Sequence, residues 1–112
     1  ALYRVHKIEL KLFSDSNNIV EYWYRKARIL QALGTDVDEV EFCFLQALDK
    51  GKKIKGSYFA PMSALQLGFY YEKNEDDEEA VRYYKKCLKM SNFDYQTGIH
   101  RGARMGINRL KN

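Results

Sequence analysis

Two histidines, His6 and His100, and two cysteines, Cys43 and Cys87, are the side chains in this sequence that could most readily build a reactive or metal-binding site. A bound metal needs several such ligands at short, regular spacing. These four are scattered, and no carboxylate pair accompanies either histidine, so no metal site is expected. A nucleophilic cysteine needs an accessible, electropositive setting. Cys43 and Cys87 fall on apolar faces of helical patterns, where they read as buried free thiols of a reducing compartment, with a disulfide as the alternative. His100 reads as a polar residue at a helix–helix boundary. There is no phosphate-cradling loop, dinucleotide glycine pattern or nucleophile elbow. No catalytic residue and no cofactor or small-molecule substrate is expected, which leaves binding as the route to function.

The charged residues are the next candidates. Lys52, Lys53 and Lys55 precede Gly56, and Arg101, Arg104, Arg109 and Lys111 crowd the last stretch. With the tyrosines they make nucleic-acid binding the alternative function. Against it, Glu72 and the run Glu75–Glu79 interrupt any single-sign track of the kind a phosphate backbone requires. That acidic run opens a helical pattern which closes on Lys85, Lys86 and Lys89, an arrangement that complements the helix dipole. The net charge of +4 permits an acidic partner without demanding one.

These residues must be carried by helices. The 112 residues amount to one domain. They are 46% hydrophobic and 30% charged, with one proline. No apolar run reaches the ~20 residues of a membrane span, and the first residues are too charged for a signal peptide; the cytoplasm is the expected location. The chain begins and ends in helix-like sequence and reads as part of something longer.

Self-similarity gives the organisation. Val40, Phe44, Ala47 and Leu48 recur as Ala80, Tyr84, Cys87 and Leu88, each pair 40 residues apart. Ahead of them, Ala27 and Leu30 match Gly68 and Tyr71 at an offset of 41. The chain therefore holds a duplicated helix pair. Asn18 with Glu21, and Thr35 with Asp38, have capping-box spacing. Small residues (Ala27, Ala47, Gly68, Ala80) alternate with large ones (Leu30, Phe44, Tyr71, Tyr84), the packing logic of stacked hairpins. The expected fold is all-α, with repeats at 19–50 and 58–91. A flanking helix is expected at 1–13 and a capping helix at 94–110, with Asp94 as its cap. In that last helix Ile99, Ala103, Ile107 and Leu110 form an apolar stripe, and Gly98, Gly102 and Gly106 a groove for close approach to the preceding pair.

Leu67-Gly68, Tyr71, Ala80, Tyr84 and Cys87 resemble the tetratricopeptide repeat in register. Asn92 stands where that family closes on proline, and Lys26 where the first unit would have leucine. The period also exceeds the family's ~34 residues, with the extra length in residues 51–58. More narrowly, the linker with Lys53-Ile54-Lys55, the series Tyr58, Pro61, Ala64, Leu65 and a last helix holding His100 are similar to the carboxyl-terminal region of the tetratricopeptide repeat protein 39 family and its fungal relatives. That likeness implies a cytosolic, non-catalytic adaptor, in some members associated with organelle surfaces. The tetratricopeptide register places Tyr24, Arg28, Gln31 and Ala32 on one wall of a concave groove, and Met62, Leu65, Phe69, Glu72 and Lys73 on the other. A peptide or helix of a partner protein with apolar anchors would suit it. The alternative is that Leu65 and Phe69 only contact the terminal helix. Tyr24, Arg28, Leu65 and Phe69 hold places where chaperone-binding repeats carry lysine and asparagine, which argues against a dicarboxylate clamp. Uncovered array ends also leave room for self-association.

Overall fold

The computed structural model describes residues 16–34 and 37–111. The expected flanking helix at 1–13, His6 and the Thr35 cap lie outside those residues. Five helices follow one another: α1 (Ser16–Leu33), α2 (Val37–Gly51), α3 (Phe59–Lys73), α4 (Asp77–Lys89) and α5 (Gln96–Leu110), with no strand among the described residues. The fold is all-α and built of stacked helix hairpins.

Helix α1 buries Val20, Trp23, Ala27 and Leu30, a stripe at three- and four-residue spacing. Helix α2 buries Val40, Cys43, Phe44, Ala47 and Leu48 against it. Helix α4 repeats that stripe with Ala80, Tyr83, Tyr84 and Cys87, so the registered positions share one environment. Helix α3 packs against all four others, which is why its sequence is apolar on nearly every side. Pro61 sits in its first turn, where the missing N–H leaves no helical bond unmade. The front helices α1, α3 and α5 form one layer and the rear helices α2 and α4 the other; α5 closes the stack on α3 and α4.

The turns show what the helix pattern alone does not. Between α3 and α4 the Asp76 N–H donates to the Tyr71 carbonyl (2.9 Å) and the Glu75 N–H to that of Glu72 (3.1 Å), with Glu75 at φ 62°. This is a Schellman ending with glutamate in the position glycine usually takes. Asp76 then caps α4, accepting from the Glu79 N–H at 3.4 Å. Asn92 is also left-handed, at φ 61°, a conformation closed to proline and tolerated by asparagine.

Two expected caps are not made. Helix α1 has already begun at Ser16, so Asn18 lies inside it, and Glu21 reaches forward to Arg25 Nε (2.5 Å) instead of back. Helix α5 starts after Tyr95, whose φ is 65° and whose side chain caps nothing. Gln96 turns back to accept from the Asn92 N–H at 2.6 Å, and Asp94 takes no capping role.

Candidate functional site

On the front layer, Tyr24 of α1 stands half-buried, its ring 6.1 Å from Phe44 and 5.5 Å from Phe59. Arg28 Nη1 donates to the Tyr24 hydroxyl at 3.2 Å, so these two predicted residues are brought together, with exposed Gln31 one turn beyond Arg28. From Phe59 the ring contacts continue to Tyr58 (4.5 Å) and on to Tyr95 (5.4 Å, edge-on). The row Tyr24, Phe59, Tyr58, Tyr95 thus crosses from α1 past the start of α3 to the start of α5, ending on a ring that is 73% exposed. Sequence reasoning missed its second half. Tyr58 and Tyr95 flank helices, where no helical period points to them.

The other predicted wall is differently employed. Leu65 is buried, and its methyls lie 3.3 Å from where a Cβ on Gly102 would sit, so it packs under α5. Phe69 is half-buried with its ring 5.8 Å from that of Tyr84, and Lys73 is exposed in the last turn of α3. Of the remaining groove positions, Ala32 is exposed and Met62 half-buried.

Tyr84 is the centre of that side. Its ring is fully buried in a slot made by two glycines: a Cβ on Gly68 would lie 2.3 Å from it, and one on Gly106 2.4 Å. The hydroxyl donates to Glu72 Oε1 at 2.6 Å. Arg109 grips the same carboxylate with Nε (2.9 Å) and Nη2 (3.0 Å), a bidentate pair between α5 and α3. Burial, then the Glu72 carboxylate, pushes the Tyr84 phenol up. The Arg109 hydrogen bonds, chiefly, hold Glu72 below its ordinary value. Glu72 and Arg109 therefore spend their charge on each other.

The reactive groups are enclosed. Burial raises the Cys43 thiol to about 11 and the Cys87 thiol to about 12, so both are free thiols held in the neutral form at pH 7. His100 is buried, with Nε2 2.8 Å from the Met90 carbonyl and the ring edge-on to Phe93. It sits at the boundary between α5 and the end of α4. Lys26 is also buried, its Nζ without a hydrogen-bond partner and 5.8 Å from the centre of the Tyr22 ring; burial lowers its pKa. Among the described residues no three His, Cys, Asp or Glu side chains converge to hold a metal ion. No helix among them is long and apolar enough to cross a membrane.

Stacked antiparallel helix pairs presenting side chains from a row of front helices define an all-α helical-repeat fold, tetratricopeptide-like in its architecture. Within it, residues 63–94 match the profile of the tetratricopeptide repeat family, a segment running from α3 through α4. No curated protein matches the chain, and no solved structure does. The narrower likeness to the tetratricopeptide repeat protein 39 family gains no support from either comparison.

Proposed function

We propose that this module is a non-catalytic scaffold segment that holds a peptide or helix of a partner protein against its front layer. The observation that carries this reading is the aromatic row from Tyr24 to Tyr95, which crosses from α1 past the start of α3 to the start of α5 and ends on the exposed ring of Tyr95. Rings positioned by one another bury large area at small entropic cost, and tyrosine and arginine are the residues that most often anchor an interface. Arg28 and Gln31 beside Tyr24, with Phe69 and Lys73 across the face, supply the polar rim and a second apolar contact; Leu65 contributes to the floor beneath. The match of residues 63–94 to a family whose repeats generally mediate protein–protein contacts supports the same reading.

The test is partner capture with the wild-type chain and with Arg28→Glu plus Tyr95→Ala, both at exposed positions. Thermal melts should match. Loss of a central anchor commonly costs about 2 kcal/mol or more, roughly thirtyfold in affinity. Partners retained equally by both proteins would refute the front-layer site.

A further inference from the structure

The rear helices carry a different surface. Between α2 and α4 lies an open cleft of about 360 Å³. Its floor is apolar: Leu45 and Leu48 from α2, Tyr83 from α4, and Met90 just beyond it. Leu48 and Tyr83 are buried and Leu45 and Met90 half-buried, so the floor is recessed rather than protruding. Lys52, Lys86 and Lys89 stand around it, all exposed. Lys52 meets Asp49 at 3.3 Å and the Lys86 ammonium lies 4.9 Å from the centre of the Tyr83 ring, but no ion pair with a carboxylate engages Lys86 or Lys89 among the described residues. Burial, and then the cations of Arg82, Lys52 and Lys89, hold Lys86 below its ordinary value, so its surroundings disfavour a further positive charge. An adjoining recess of about 260 Å³ shares Lys52, Lys89 and Met90 and extends the surface past Lys55.

Helix dipoles account for lysine near the ends of α2 and α4. They do not account for the recessed apolar side chains of Leu45, Leu48 and Met90 that lie between those lysines. We propose that this cleft is a second binding site, for an acidic peptide segment that seats one apolar side chain on the Leu48–Tyr83 floor while its carboxylates meet Lys52, Lys86 and Lys89. The charge complementarity selects an anion, and the recessed floor selects a ligand that brings its own apolar side chain. A membrane surface would need apolar residues projecting from the protein, and the floor lies below the lysines. A nucleic-acid backbone would need an unbroken basic track, and Asp49 on the rim and Glu79, paired with Arg82 at 3.6 Å, interrupt it. This site is independent of the front layer.

The probe is a labelled octapeptide of glutamates flanking one leucine, titrated against the full chain by fluorescence anisotropy at low salt. Lys86→Glu plus Lys89→Glu is expected to weaken binding at least about tenfold, as truncated or reversed charges at an interface do. Lys86→Arg plus Lys89→Arg should retain it, and all proteins should melt alike. Arg28→Glu plus Tyr95→Ala should bind the octapeptide as wild type does, which separates this site from the front layer. Replacing the peptide's leucine by serine should weaken it several-fold. The proposal is overturned if the octapeptide fails to bind at about 1 mM, a weak-binding limit. It is equally overturned if charge reversal leaves binding unchanged, or if phosphatidylserine vesicles or a single-stranded oligonucleotide displace the peptide at matched charge.

Discussion

The two helix pairs occupy equivalent positions in one repeat frame, yet they are held together by different means. Phe44 and Tyr84 stand 40 residues apart at matching sites, and both are fully buried. The Phe44 ring has that of Tyr24 6.1 Å away, and the buried position that matches Gly68 is Ala27, which keeps its Cβ. Around Tyr84 the side chains are stripped back to glycine on two helices, and the hydroxyl reaches out to the Glu72–Arg109 pair. The first pair leaves Ile29, Leu33, Val37 and Phe42 at least half exposed and buries an ammonium group, Lys26. The apolar period sets where a ring must go, and it is satisfied equally in both pairs. What surrounds the ring in each unit is polar and steric detail that the period does not carry.

The sharpest way to break this comparison is to fill the slot around Tyr84. Alanine gains about 1 kcal/mol over glycine in a helix. A Cβ at 2.3 or 2.4 Å from ring carbons has no room, however, and overpacking a rigid core costs about 1–3 kcal/mol or more. Gly68→Ala and Gly106→Ala should each lose about 2 kcal/mol net in urea unfolding. Gly98 belongs to the same row of glycines but faces open space, so Gly98→Ala should gain up to about 1 kcal/mol. Equal effects at Gly98 and Gly106 would mean that the slot is not what holds α5.

A smaller effect, of opposite sign, should come from the first pair. Lys26→Leu removes a buried ammonium without a hydrogen-bond partner and gives up only a weak contact with the Tyr22 ring. A gain of about 1 kcal/mol is expected, or roughly 4–8 °C in Tm for a domain of this size. The sign has a pH signature. Burial places the folded pKa of Lys26 below the ordinary 10.5, so the unfolded chain binds more protons between the two values. Wild-type stability therefore recovers as pH rises through that window, and the advantage of Lys26→Leu should shrink there. A constant advantage at all pH values would assign the gain to packing alone.

These residues also mark how far sequence reaches. The duplicated pair, the apolar stripes of α4 and α5 and the core placement of both cysteines were legible because burial repeats with the helical period. Lys26 was visible as a departure from the repeat, and Gly106 as part of a row. That Gly106 clears Tyr84 while Gly98 clears nothing depends on how α5 is rotated against α4, which spacing within α5 does not encode. The Asn18 cap failed because α1 has already begun at Ser16, and the Asp94 cap because α5 starts only after Tyr95. On the candidate site, the contact between Tyr24 and Arg28 follows from their four-residue spacing, whereas the burial of Leu65 beside Gly102 depends on how α5 packs on α3. Tyr58 and Tyr95 lie in turns, and their alignment exists only once three helices are packed.

The finest probe of the contrast is the Glu72–Arg109 pair, which has no counterpart among the described residues of the first helix pair. Arg109 is 47% exposed and Glu72 24% exposed at their side chains, so water and salt screen the interaction to about 0.5–1 kcal/mol despite its bidentate geometry. Because Glu72 is held below its ordinary 4.5, the unfolded chain takes up its proton first as pH falls. The contribution is complete above about pH 4.5 and disappears as pH drops through the lowered folded value. Arg109→Gln should therefore be less stable than wild type at pH 7, and the gap should close in acid. Amide exchange should localise the difference to α5 and its contact with α3, leaving α1 and α2 unchanged. If exchange quickens throughout the chain instead, the pair stabilises the whole stack and the two units are coupled more tightly than their separate cores imply.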